Sequence, residues 1–126
     1  MLTTSYFPSF PIVFADTFTA GGNKLHGNVS AVSGIRNLTT LVLGDNKLTG
    51  EVNLAEMGNL EELVLENNKF SGPLPDLSNS PNIRVLRLGE NYFDNIFFPT
   101  NYLEMNNMID LGLNNLYLTG EIPAGI

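Results

Sequence analysis

The sequence predicts a solenoid in which short parallel strands stack into one concave sheet and irregular or 3₁₀ segments return along the convex side. Three observations predict it. A frame with aliphatic or aromatic residues at positions 1, 4, 6 and 11 and asparagine at position 9 begins at Ala15 (in small residues), Leu38, Leu60 and Ile83. A degraded fifth copy starts at Met108. The ninth-position residues Asn23, Asn46, Asn68 and Asn91 stand 23, 22 and 23 residues apart. Beyond the frame, the stretch from Leu38 to Val52 aligns without gaps with the stretch from Leu60 to Leu74. Self-similarity at a period of roughly 20 to 29 residues marks an array of stacked structural units.

The strand comes first in each coil. Leu41 and Leu43 flank Val42, and Leu63 and Leu65 flank Val64. Alternate side chains of a strand point to opposite faces, so the leucines enter the core and their neighbours face outward. One coil cannot bury its apolar side alone, but stacked coils share a continuous apolar ribbon. The predicted core columns are Leu38, Leu41, Leu43, Leu48, Val52 and their equivalents. The asparagine follows, where the chain turns sharply and leaves backbone N–H and C=O groups aimed into the stack. Unpartnered buried backbone groups are costly, and an amide side chain offers two donors and an acceptor to satisfy them from coil to coil. In the fifth copy Leu116 stands where asparagine belongs and Asn115 precedes it, so local irregularity is expected there.

Repeat boundaries follow from the frame. Residues 15–37, 38–59, 60–82 and 83–107 are repeats, 1–14 are the tail of a truncated repeat, and 108–126 are a truncated, degenerate one. Leu2 lies 13 residues before Ala15, the interval seen from Leu25 to Leu38, so Leu2 and Tyr6 take the columns of Leu48 and Val52. Solenoids need polar terminal caps. None is evident, so the expectation is a piece of a longer array, with a small complete protein as the rival. Phe7 to Ala15 is apolar, and Val13-Phe14-Ala15 before Asp16 resembles a signal-cleavage site. Pro8, Pro11 and the lack of a preceding Lys or Arg favour an apolar convex return instead.

Three segments close the case for the type of repeat. Leu48-Thr49-Gly50-Glu51-Val52, Phe70-Ser71-Gly72-Pro73-Leu74-Pro75 and Leu118-Thr119-Gly120-Glu121-Ile122-Pro123 resemble the L-x-G-x-I-P extension of plant-type leucine-rich repeats. That class is found in receptor-like kinase ectodomains, receptor-like proteins and polygalacturonase inhibitors. The resemblance covers the chain after residue 14. It implies a leucine-rich-repeat solenoid, an L domain-like, right-handed β/α superhelix acting in recognition. It also implies an extracellular or membrane-anchored location over a cytoplasmic one. The copy that begins at Ile83 departs from the pattern. Phe93-Asp94-Asn95-Ile96 lacks the glycine, and its coil runs 25 residues from Ile83 to Met108, which puts a second short strand there in doubt.

Composition narrows the function classes. Of 126 residues, 13 are acidic and 6 basic, for a net charge of −7. An acidic chain without a Lys/Arg run argues against nucleic acid and anionic membrane surfaces as partners. No apolar run approaches the roughly 20 residues that span a bilayer. Cysteine is absent, which removes disulfides and the usual zinc sites but leaves the compartment open. The acceptor triplets Asn28-Val29-Ser30 and Asn37-Leu38-Thr39 are about as many as chance supplies.

Catalysis finds no support. The sole histidine, His26, occupies the position of Thr49, expected to be an exposed loop site with no nucleophile or carboxylate beside it. Gly21-Gly22-Asn23 and Gly44-Asp45-Asn46 lack the spacing of a phosphate loop or an EF-hand, and turn chemistry explains both. No cofactor, metal or catalytic residue is predicted.

A partner is expected on the concave sheet. The outward files are Thr17, Thr40, Glu62, Val85 and Asp110, then Thr19, Val42, Val64, Arg87 and Gly112. Gly44, Glu66, Gly89 and Asn114 follow, then Asp45, Asn67, Glu90 and Asn115. The candidate site is Val42, Val64 and Arg87, taken as exposed, ringed by Glu62, Glu66, Asp45 and Glu90. Apolar and Arg anchors inside a polar rim have the anatomy of a protein or peptide hot spot. The plainer reading is that valine is simply a good strand former. Three functions stay open: a recognition segment of a receptor-like or inhibitor protein, an intracellular scaffold array, and a repeat segment attached to a catalytic domain outside this chain.

Overall fold

The computed structural model describes residues 16–32, 34–94 and 97–124. The expectations placed on Leu2, Tyr6, Ala15 and the 7–15 segment lie outside them. Five three-residue strands form one parallel sheet in chain order: β1 (Thr17–Thr19), β3 (Thr40–Val42), β5 (Glu62–Val64), β7 (Val85–Arg87) and β8 (Asp110–Gly112). Their register is that of the sequence repeat. Thr17, Thr40, Glu62, Val85 and Asp110 pair in one row, and Thr19, Val42, Val64, Arg87 and Gly112 in another.

Between these strands lie β2 (His26–Gly27), β4 (Lys47–Gly50) and β6 (Lys69–Phe70), which form a second parallel sheet. Here the register departs from the sequence alignment. His26 pairs with Lys47 and Thr49 with Lys69, although His26 aligns with Thr49 and Thr49 with Ser71. The asparagines cause the offset. Asn46 Oδ1 accepts the N–H of Leu25, two residues past Asn23, and the Lys47 N–H donates to the Leu25 carbonyl. Each coil therefore docks two residues ahead on the one before it.

The asparagine column bridges successive coils at three positions. Asn46, Asn68 and Asn91 are buried, and each Nδ2 donates to a carbonyl of its own turn and to one of the preceding coil. Each Oδ1 accepts a backbone N–H of the preceding coil: Leu25, Leu48 and Phe70 respectively. Asn23 is exposed and donates to Ala20 and Gly21 of its own turn. The residue before each column position is left-handed: Gly22, Asp45, Asn67, Glu90 and Asn115 all have φ between 54° and 70°. Asp and Asn tolerate this region better than Glu does. In the fifth copy Leu116 is buried in place of the amide, and Tyr117 is a second left-handed residue, the irregularity the sequence led one to expect.

The convex returns are chains of i to i+3 turns. Val29, Val32, Ile35 and Leu38 are linked successively N–H to C=O, as are Leu54, Met57 and Leu60. At three residues per turn every third side chain eclipses the last, so these residues share the inward face and are buried. Two pieces are regular 3₁₀ helix, Ser30–Val32 and Thr100–Glu104. Three returns open with an Asx turn, in which Asn28, Asn53 and Asp76 accept the N–H two residues on. That bond, with the Ser78 hydroxyl, holds the Asp76 carboxyl below its ordinary value.

The long coil that begins at Ile83 uses its extra residues for the 3₁₀ helix Thr100–Glu104, which buries Tyr102 and lets its hydroxyl donate to the Pro75 carbonyl at 2.7 Å. Tyr92 and Asp94 N–H groups still bond to the Phe70 and Gly72 carbonyls, so the coil stays attached where the glycine is missing. Leu38, Leu41, Leu43 and Leu48 are buried as predicted. Val52 and Ile122 are corrections: Val52 is half-buried although its equivalents Val29 and Leu74 are buried, and Ile122 of the fifth copy is exposed.

Two stability predictions follow from these contacts. Asn68→Leu leaves the buried Leu48 N–H without an acceptor and should cost about 2–3 kcal/mol in urea unfolding, while Leu65→Asp should abolish the cooperative transition. Tyr102 carries a pH dependence. Burial first, and the Asp76 charge second, push its phenol well above the ordinary value near 10. The neutral phenol therefore stabilises fully below that value, and the contribution is lost as pH rises beyond it. Stability should fall above pH 10, and Tyr102→Phe should flatten that decline.

Candidate functional site

The concave sheet brings the candidate residues onto adjoining rungs. Val42 and Val64 are paired directly, and Arg87 pairs with Val64 one rung further on. Glu62 stands one file away, paired with Thr40 and Val85. Asp45 and Glu90 occupy the left-handed turn positions at the end of the strands, where φ is 57° and 56°.

Burial corrects one expectation. Val42 and Val64 are half-buried, not exposed. The file beside them is small: a Cβ built on Gly21 would lie 3.7 Å from Val42 Cγ1, and one on Gly44 would lie 3.5 Å from Val64 Cγ1. Each valine thus leans over a glycine of the coil before it. The result is a shallow apolar step, and Gly44 is itself buried.

Charge is arranged around Arg87. Its Nη2 lies 2.5 Å and its Nε 3.1 Å from Asp110 Oδ2, and Nη1 is 4.0 Å from Glu66 Oε1. The hydrogen bond to Asp110 and then its charge, with smaller effects of Glu66 and Glu62, raise the guanidinium pKa above its ordinary value. Asp110 belongs to an outward file but lies outside the candidate set. The signal was available, since the frame puts it one rung and one file from Arg87. Two more carboxylates of the ring are held by amides of the next coil. Asn67 Nδ2 donates to Asp45 Oδ1 at 2.8 Å, and Asn114 Nδ2 to Glu90 Oε1 at 3.4 Å. A cleft of about 400 Å³ opens at this edge between Asn67, Asn68, Glu90, Asn91, Tyr92, Asn115 and Tyr117.

His26 needs a second correction. It is half-buried within β2 and paired with Lys47, not an exposed loop residue, because the two-residue offset draws it into the second sheet. Among the described residues no group of three or more His, Cys, Asp or Glu side chains could hold a metal ion. What the surface offers chemically is ion pairing, amide hydrogen bonding and a small apolar contact.

Residues 59–80 match the family Leucine Rich Repeat. Receptor-like kinase TMK4 of Arabidopsis thaliana is 42% identical over 70 residues, which is 56% of this chain and 7% of that kinase. The leucine-rich-repeat ectodomain of the receptor kinase SOBIR1 from Arabidopsis thaliana superposes with a TM-score of 0.74 at 28% identity, over 82% of this chain and 59% of that one. The ectodomain of the plant membrane receptor kinase GASSHO1/SCHENGEN3 from Arabidopsis thaliana, in complex with CASPARIAN STRIP INTEGRITY FACTOR 2, superposes with a TM-score of 0.76 at 34% identity. That match covers 84% of this chain and 13% of the other. The chain therefore spans a small part of the kinase it matches, and the similarity lies with ectodomain repeats.

Proposed function

We propose that this chain, a leucine-rich-repeat solenoid of the plant type, is a non-catalytic recognition module that binds a protein or peptide partner through its concave sheet. It acts within a receptor-like or inhibitor-type protein, extracellular or anchored at a membrane. One observation carries the reading: five strands in unbroken register project their outward side chains as continuous files across every coil. Along those files the Val42–Val64 step meets Arg87 and is bordered by Glu62, Glu66, Asp45, Glu90 and Asp110. A fully built guanidinium–carboxylate pair next to an apolar step is suited to exchange partners with an incoming charged group while apolar area is buried. That the similar GASSHO1/SCHENGEN3 ectodomain forms a complex with CASPARIAN STRIP INTEGRITY FACTOR 2 supports a binding role for repeats of this kind.

The test is a display screen of peptides against the 126-residue chain, followed by titration of each hit against Val64→Asp and Arg87→Glu. Both side chains lie on the outward face, so circular dichroism should not change. Affinity should drop by roughly tenfold or more, as expected for anchor residues. Hits that bind both variants as tightly as the parent rule the concave sheet out.

A further inference from the structure

The second sheet has an outward face of its own. Leu48 and Phe70 of β4 and β6 point into the core and are fully buried, and Leu25 packs against the same core. By strand alternation Lys24 and His26, Lys47 and Thr49, and Lys69 and Ser71 share the opposite face. Lys24, Lys47 and Lys69 are exposed, and they are three of only six basic residues in a chain with 13 acidic ones. None of the three has an ion pair among the described residues, whereas Arg36 and Arg87 are paired with Glu56 and with Asp110 and Glu66. The turn carboxylate of Asp45 accepts a hydrogen bond from Asn67. No Asp or Glu lies within β2, β4 or β6. Like charges on adjoining strands weaken a sheet; the carboxylate that follows β4, Glu51, packs over Gly72 and forms no ion pair with these lysines among the described residues.

The register sets the spacing. Lys47 sits beside His26 and Lys69 beside Thr49, so each lysine is diagonal to the next. Diagonal neighbours on a sheet are roughly 7–8 Å apart. Every second side chain of an extended peptide recurs at about 6.6 Å. We infer that the second sheet's outer face binds an extended acidic peptide whose carboxylates alternate with neutral residues, one carboxylate to each of Lys24, Lys47 and Lys69. Thr49 and Ser71 flank the row with hydroxyl groups, and the exposed ring of Tyr92 stands at its end for an apolar residue of the same peptide. This surface is separate from the concave one and stands or falls independently of it.

Fluorescence anisotropy with the labelled peptide Asp-Thr-Asp-Thr-Asp-Phe tests the inference, beside its isomer Asp-Asp-Asp-Thr-Thr-Phe and a linear polyuronate of matched charge. The alternating peptide should bind at low salt and weaken as salt is added. The isomer and the polyuronate should bind on the order of tenfold more weakly, and Lys47→Glu should cost a similar factor. Arg36→Glu makes the same charge change away from the sheet and should leave binding in place, and Lys47→Gln gives a second, milder variant. Equal binding of the two isomers, preference for the polyuronate, or equal effects of Lys47→Glu and Arg36→Glu would each overturn it.

Discussion

The turn that follows each concave strand is the constraint on which this molecule depends. Within the four residues between β3 and β4, or β5 and β6, the chain must leave the sheet, reverse its side-chain phase and enter the second sheet, while the carbonyls of Leu43, Leu65 and Leu88 point into the stack. A left-handed residue makes the corner, and the next residue, an asparagine, repairs its hydrogen bonding. Because Asn46, Asn68 and Asn91 each bond both to their own turn and to the coil before, one side chain closes a corner and also fixes the rise between coils. The leucines supply the free energy of burial, but they would tolerate slippage along the stack. The amides do not, since a one-residue slip would leave a buried N–H and several carbonyls unpaired.

That division explains which features were legible in the sequence. Strand position, strand register and the asparagine column follow from period alone, because each depends on chemistry repeated in every coil. The offset of the second sheet was not legible. It arises from how far an amide reaches across to Leu25, Leu48 and Phe70, a distance that no spacing within one coil encodes. His26 was misplaced for this reason. The half-burial of Val42 and Val64 was missed because it depends on small residues, Gly21 and Gly44, in the coil before. The buried triplets of the convex returns, such as Leu54, Met57 and Leu60, did carry a signal, a period of three that fits neither helix nor strand. The pairing of Arg87 with Asp110 could also have been read from adjoining files.

Function is separated from stability by the same geometry. Inward residues of each strand are locked by neighbours on both sides, so their variation is costly. Outward residues meet only the rungs beside them, and a change there alters the surface with little effect on the stack. The concave face is edged with carboxylates and holds one compensated guanidinium. Lys24, Lys47 and Lys69 along the second sheet have no ion pair among the described residues. A single short repeat thereby displays two surfaces of opposite character, each with spacing set by the coil.

The central claim is that buried amides tie successive coils together, and native-state hydrogen exchange measured by NMR tests it most directly. The backbone N–H groups of Leu25, Leu48 and Phe70 are bonded to side-chain oxygens, not to strand carbonyls. The account predicts that the N–H groups of Leu48 and Phe70 exchange as slowly as those of the central strands β3 and β5, through the same cooperative opening. Exchange at the rate of an unprotected amide, with the strands still protected, would contradict it.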